Sequence, residues 1–209
     1  MFVIVHNGSV ILGPMRWNRY RFENTIQEDL ELDQPITLPD TNDFNVITVN
    51  DEVKIYPVIQ MTNEEFNPRT QHLHGPFWQF TETGAIGSYV AQDLPIDAVK
   101  NQMKAEVANQ RWIKENSGTS VTLNGADYNF STTKESRSVL QQALSLNSPQ
   151  INWKLGGDQW LTLSSQDIQT VLQAILQHVQ SCFDWELAKC NEIDLCESLT
   201  LLNDVVIGS

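Results

Sequence analysis

The chain has 209 residues, 23.7 kDa, with 41 % hydrophobic and 19 % charged residues, which excludes a disordered tail, a coiled-coil rod and a collagen-like fibre. A chain of this length buries about 70 % of its extended surface on folding, so it builds a core without metal or disulfides. The net charge of -13, with no run of three consecutive basic residues, makes DNA, RNA and anionic lipid poor partners.

No run approaches 18 apolar residues, so no membrane-spanning helix is expected. The opening MFVIVHNGSV lacks a basic region and has only a short apolar stretch, so a secretory leader is not expected either. Asn and Gln number 34 together. Amides hydrogen-bond without carrying charge, which suits wet, packed interfaces in an assembly. Cys182, Cys190 and Cys196 match neither a zinc spacing nor C-x-x-C, and read as free thiols in a reducing compartment.

The expected fold class is α+β. A β-rich domain spans residues 1–93, and a helix–hairpin–helix–hairpin–helix domain spans 94–209. Phe2–Val5 and Val10–Leu12 flank Asn7-Gly8, a hairpin signal. Residues 27–45 form a long acidic connector holding Glu28, Asp29, Glu31, Asp33, Asp40 and Asp43. Val53, Ile55 and Tyr56-Pro57-Val58-Ile59 read as a strand, with Pro57 pointing to an edge or bulge. Phe77–Phe80 and Ser88–Ala91, around Gly84 and Gly87, read as two further strands.

From Pro95 the period changes to helical. Asp97 lies in the first turn, and Ile96, Val99, Met103 and Val107 recur at three and four. A hairpin is expected around Asn124-Gly125. Thr132 with Glu135 predicts a capping box, and so does Ser164 with Asp167. Ile151, Trp153 and Leu155 alternate before Gly156-Gly157-Asp158, and Trp160–Leu163 returns, so Trp153 and Trp160 are expected to face each other across a hairpin. Ile168, Val171, Leu172, Ile175, Leu176, Val179, Phe183 and Leu187 then form one long helical stripe, followed by a second amphipathic segment, Ile193 to Leu202.

The order of motifs over residues 95–200 is distinctive: Val99-Lys100, Arg111-Trp112, Gly125 with Tyr128, Ser136, Ala143-Leu144, Trp153-Lys154, Trp160 with Leu163, and His178-Val179-Gln180 with Phe183. It resembles the small uncharacterised domain found near the C-termini of bacteriophage tail-fibre and baseplate-associated proteins. Asn7-Gly8, Leu12-Gly13-Pro14-Met15 and Trp17-Asn18 resemble N-terminal segments of phage structural proteins. The resemblance implies a structural subunit of a phage tail, in the baseplate or linking a fibre to it, made and assembled in the host cytoplasm and carried in the virion. Its partners would be other tail, baseplate and fibre proteins, with self-association, and no nucleic acid or membrane. A tail-fibre assembly chaperone and a host-glycan-binding module are the alternatives.

Candidate partner-binding residues are Trp17, Trp78, Ile168, Val171, Ile175 and Val179, the last four on a stripe that buries either a core or a symmetric interface. Trp153 and Trp160 are the candidate glycan platform. His72 and His74 share one face of an extended strand and could approach a metal, with a three-fold assembly supplying six nitrogens. His178 and Cys182 share a helix face at i,i+4. No nucleophile elbow, P-loop, H-E-x-x-H or G-x-G-x-x-G occurs, so no enzyme is expected and no resident cofactor. Asp158 with Glu186, and Glu64 with Glu65, are the carboxylates that sequence alone would pair.

Overall fold

A computed structural model describes residues 1–16 and 44–208. Trp17 and most of the acidic connector lie outside the described residues. The fold is α+β. The chain divides into two compact units, Met1–Asp93 and Leu94–Ser209.

The first unit is a mixed sheet. Its strands are β1 (Phe2–His6), β2 (Ser9–Met15), β3 (Ile47–Thr48), β4 (Val53–Asn63), β5 (Gln71–Phe80) and β6 (Ala85–Asp93). The order is β2-β1-β4-β6-β5, with β3 also paired to β4. Asn7 and Gly8 both take positive φ, 50° and 80°, which is the backbone a two-residue hairpin turn requires. The unbroken apolar run Phe2–Val5 is buried on both faces, because side chains alternate along a strand. Phe2 and Ile4 pack with Val53 and Ile55, whereas Val3 and Val5 pack with Ala85.

β4 is an inner strand. Pro57 sits opposite Phe2 at the last position paired to β1. From Val58 the strand runs parallel to β6, with a register shift between Val58 and Gln60. Pro57 therefore sits where β4 changes partners, just before the Val58 N–H makes a last bond to the Met1 carbonyl at 2.8 Å.

The second unit is built around one helix. Its elements are α1 (Ile96–Glu115), the hairpin β7 (Thr119–Leu123) and β8 (Ala126–Phe130), α2 (Lys134–Ser145), the hairpin β9 (Gln150–Gly156) and β10 (Gln159–Ser164), α3 (Ser165–Leu195) and α4 (Leu199–Asp204). Val121, Leu123 and Phe130 of the first hairpin, Leu140 of α2 and Leu163 of β10 close over Ile168, Val171, Ile175 and Val179 of α3. Farther along, Ile193 and Cys196 join Val99, Met103 and Val107 of α1 and Leu202 of α4. α3 thus serves two apolar clusters in succession. No helix among the described residues is long and apolar enough to cross a membrane.

Two expectations shift. The N-cap of α2 is Thr133, which accepts from the Ser136 backbone N–H at 3.4 Å. Thr132 is instead buried, donating to the Glu115 carbonyl and accepting from the Gly118 N–H at 3.0 Å. Its hydroxyl ties the end of α1 to the start of α2. Ile193 belongs to α3, not to a separate segment. The chain breaks only at Cys196, and Ser198 caps α4 by accepting from Leu201 N–H at 3.3 Å.

A polar network locks the three long helices. Arg111 of α1 donates from Nη1 to Glu115 and from Nε to Glu186 of α3 at 2.9 Å. Arg137 of α2 donates from Nη2 to the other Glu115 oxygen at 2.9 Å. The Glu115 side chain is only 10 % exposed. Both of its oxygens therefore meet a guanidinium, which offsets its desolvation. The Arg111 guanidinium also stacks 4.7 Å over the Phe183 ring, and the Lys114 ammonium lies 4.2 Å over Trp185.

Replacing Glu115 with Ala leaves two half-buried cations without their shared carboxylate. Urea unfolding should show a loss of about 2–3 kcal/mol, whereas Trp160→Ala on the exposed hairpin should cost under about 1 kcal/mol. The capping box at the start of α3 gives a pH signature. The Ser164 hydroxyl, then its backbone N–H, bond Asp167 and hold its carboxyl below the ordinary value. A depressed native value means that this stability is full above about pH 4 and is lost as pH falls through the native value. Ser164→Ala should lower stability at neutral pH by about 1 kcal/mol. It should also weaken the acid dependence below pH 4, read by urea midpoints across pH.

Candidate functional site

The long helix carries two stripes, not one. Ile168, Val171, Ile175 and Val179 are 0, 0, 1 and 8 % exposed and sit inside the unit's own core. They are not available to a partner, which corrects their assignment as partner-binding residues. Residues 172, 176, 183 and 187 lie about a quarter-turn around the helix from that line. Here Leu176 is 67 %, Phe183 44 % and Leu187 62 % exposed, and Leu172 is half-buried. These are large apolar side chains left in solvent along one row.

Two clefts open along this row. One, of about 290 Å³, lies between α2 and α3 and is lined by Arg137, Gln141, Leu172, Gln173, Ile175 and Leu176. The other, of about 430 Å³, is lined by Gln180, Phe183, Asp184, Glu186, Leu187 and Cys190. From Ile168 to Phe183 the helix holds no Asp, Glu, Lys or Arg. Apolar side chains interleaved with amides give the composition of an interface centre, from which charge is depleted. The Arg111–Glu186 pair anchors the C-terminal half of this face to α1, and Arg137 borders its N-terminal half.

In the first unit, β5 ends the sheet, and its outer edge pairs with no other described strand. An extra residue between His74 and Phe77 makes a bulge, so His72, His74 and Phe77 all lie on the exposed side. The His72 and His74 rings are 6.5 Å apart by centroid, at 77°, and His74 meets Phe77 edge-on at 5.3 Å. The shared face expected of His-x-His is present. Among the described residues no group of three or more His, Cys, Asp or Glu is close enough to hold a metal. Two imidazoles alone leave most of a coordination sphere to outside ligands.

Trp78 is half-buried against the cluster of Val3, Val5 and Ala85. Its ring covers Gly87 directly opposite, where a β-carbon would stand 2.9 Å from Cζ3. The Met61 sulfur is nearer still, 2.6 Å from that position, so Met61 and the indole share the space that Gly87 leaves. Trp78 is therefore a packing residue more than a partner anchor. The proposed tryptophan platform is not formed either. Trp160 pairs with Lys154, and Trp153 pairs with Leu161. Neighbouring strand positions face opposite sides, so Trp153 packs toward the α3 core while Trp160 is 61 % exposed beside the Lys154 ammonium at 5.7 Å.

His178, Cys182, Glu186 and Glu64 have structural partners. His178 Nε2 donates to the Lys114 carbonyl at 2.9 Å, fixing that tautomer and pinning the last turn of α1 to α3. Cys182 Sγ lies 3.8 Å from the same nitrogen, and burial pushes its thiol above the ordinary value, which disfavours the nucleophilic thiolate. Glu186 is held by Arg111, and Glu64 accepts from the Ala91 N–H at 2.8 Å. Sequence reasoning missed the Arg111–Glu115–Arg137 network. Its one visible signal is the i,i+4 spacing of Arg111 and Glu115.

No curated protein and no solved structure matches the chain significantly. Residues 98–206, just over half of the chain, match the family described as a domain of unknown function, DUF4376. That stretch takes in all but the first two residues of α1, both hairpins, α2, α3 and α4, and so the whole exposed row of α3. The chain belongs to the DUF4376 family.

Proposed function

We propose that this protein is a structural subunit of a bacteriophage tail, in the baseplate or linking a tail fibre to it. The observation that carries this reading is the ordered motif set over residues 95–200, from Val99-Lys100 to His178-Val179-Gln180, which resembles the C-terminal domain of phage tail-fibre and baseplate-associated proteins. The surfaces support an architectural role. The outer edge of β5, interrupted by the bulge at Gly75-Pro76, offers two short stretches of backbone for strand pairing with a neighbour. The uncharged row on α3 offers apolar side chains for a second contact. A chain of net charge -13 avoids non-specific association with nucleic acid while those two surfaces bind protein.

In this reading the protein is made in the host cytoplasm and retained in the virion, with other tail, baseplate or fibre proteins as partners. The test is quantitative mass spectrometry of gradient-purified particles. A constant stoichiometric ratio to the major tail protein is expected. Absence from particles, with abundance in the lysate, would contradict a virion subunit and favour an assembly chaperone.

A further inference from the structure

We propose that Asn7-Gly8 is a self-modifying site, at which Asn7 loses ammonia to become aspartate or isoaspartate, with His6 as the general acid for the leaving nitrogen. Glycine after asparagine favours this chemistry, because no β-carbon crowds the attacking backbone nitrogen. The chain holds two such pairs, Asn7-Gly8 and Asn124-Gly125. Both are exposed two-residue hairpin turns, with φ of 50° and 80° at the first and 53° and 81° at the second. A β-carbon on either glycine would meet nothing within 4 Å. Turn conformation and crowding therefore do not separate the two. The surroundings of the amide do. Asn7 Nδ2 lies 3.2 Å from His6 Nε2, and the Glu52 carboxylate stands 3.3 Å from the same imidazole nitrogen. The Asn7 backbone N–H donates to the Glu52 carbonyl at 2.9 Å, which keeps turn, ring and carboxylate together. At the second turn Leu123 precedes the asparagine, and the polar pair beside it, Thr122 and Asp127, is bonded to itself.

The Gly8 backbone nitrogen gives its proton to water and bonds to Asn7 Cγ, closing a five-membered ring. The Cγ–Nδ2 bond then breaks, and Nδ2 leaves as ammonia after taking a proton from His6 Nε2. In the resting turn Nδ2 is an amide nitrogen and only donates, so a neutral Nε2 accepts from it. In the tetrahedral intermediate Nδ2 is an amine and accepts, so the protonated ring serves it across the same contact. Water opens the cyclic imide at one of its two carbonyls, giving aspartate or isoaspartate, and the imidazole regains its proton from solvent. Water is the one co-reactant. Either product puts a new carboxylate beside Glu52. Isoaspartate also lengthens by one carbon the turn that leaves β1, the strand buried on both faces. This inference does not depend on a role in a phage tail.

Incubation of the folded full chain at neutral pH, followed by tryptic peptide mass spectrometry, reads both sites in one sample. The peptide of residues 1–16 holds a single asparagine, and fragment ions place the one-dalton gain within residues 115–134. Asn7 should be lost about tenfold faster than Asn124, less than the 10²–10⁴ of an acid held in a closed site. His6→Gln keeps a hydrogen-bonding side chain and removes the acid. It should bring the two rates together with an unchanged circular-dichroism spectrum. In the wild-type chain unfolded in urea the two rates should also be equal, because the contact is gone. Loss of Asn7 no faster than loss of Asn124, a rate ratio that survives His6→Gln, or one that survives unfolding would each overturn the proposal.

Discussion

Glu115 receives two guanidinium groups at the point where α1 ends. Arg111 comes from one turn earlier on the same helix, and Arg137 comes from α2. A carboxylate that is 10 % exposed is costly without such partners, and each arginine is costly without the carboxylate. The arrangement is therefore all or nothing. Arg111 extends it to Glu186, so three helices meet through one set of charges. Beside it, His178 bonds the Lys114 carbonyl and Thr132 bonds the Glu115 carbonyl, which satisfies backbone acceptors that a helix end leaves open. Through Glu186 and His178 this junction ties α3 to the end of α1, beside the apolar clusters that α3 serves.

The two units use apolar surface differently. In the first, β1 is buried on both faces, so consecutive residues from Phe2 to Val5 all serve packing. The outer edge of β5 pairs with no other described strand. In the second, α3 buries one stripe and leaves another open a quarter-turn away. The buried stripe holds the hairpins and α2, and the open one is free to meet another chain.

Much of this was legible from residues. The Asn7-Gly8 and Asn124-Gly125 turns appear where positive φ was expected, because few other residue pairs tolerate that backbone. The Ser164–Asp167 box opens α3 as read. The sequence places the α2 cap one position early because Thr132 and Thr133 are both competent caps, and only the tertiary bond from Thr132 to Glu115 decides between them. The long stripe reads as one because period alone does not say which of two adjacent apolar lines is covered. The Trp153–Trp160 platform failed by register, since a one-residue offset sends the rings to opposite faces. The charge network joins residues 115 and 186 through residue 111, and beyond the i,i+4 spacing of Arg111 and Glu115 no local pattern announces that meeting.

The central claim is that the Glu115 junction sets the arrangement of the second unit. Native-state hydrogen exchange of the full chain with Glu115→Gln tests it most directly, because the substitution keeps shape and removes charge. The account predicts lost protection over the last turn of α1 and the first turns of α2, with the amides of Ile168–Val179 still protected by their apolar cluster. Unchanged protection at the α1–α2 junction would contradict it.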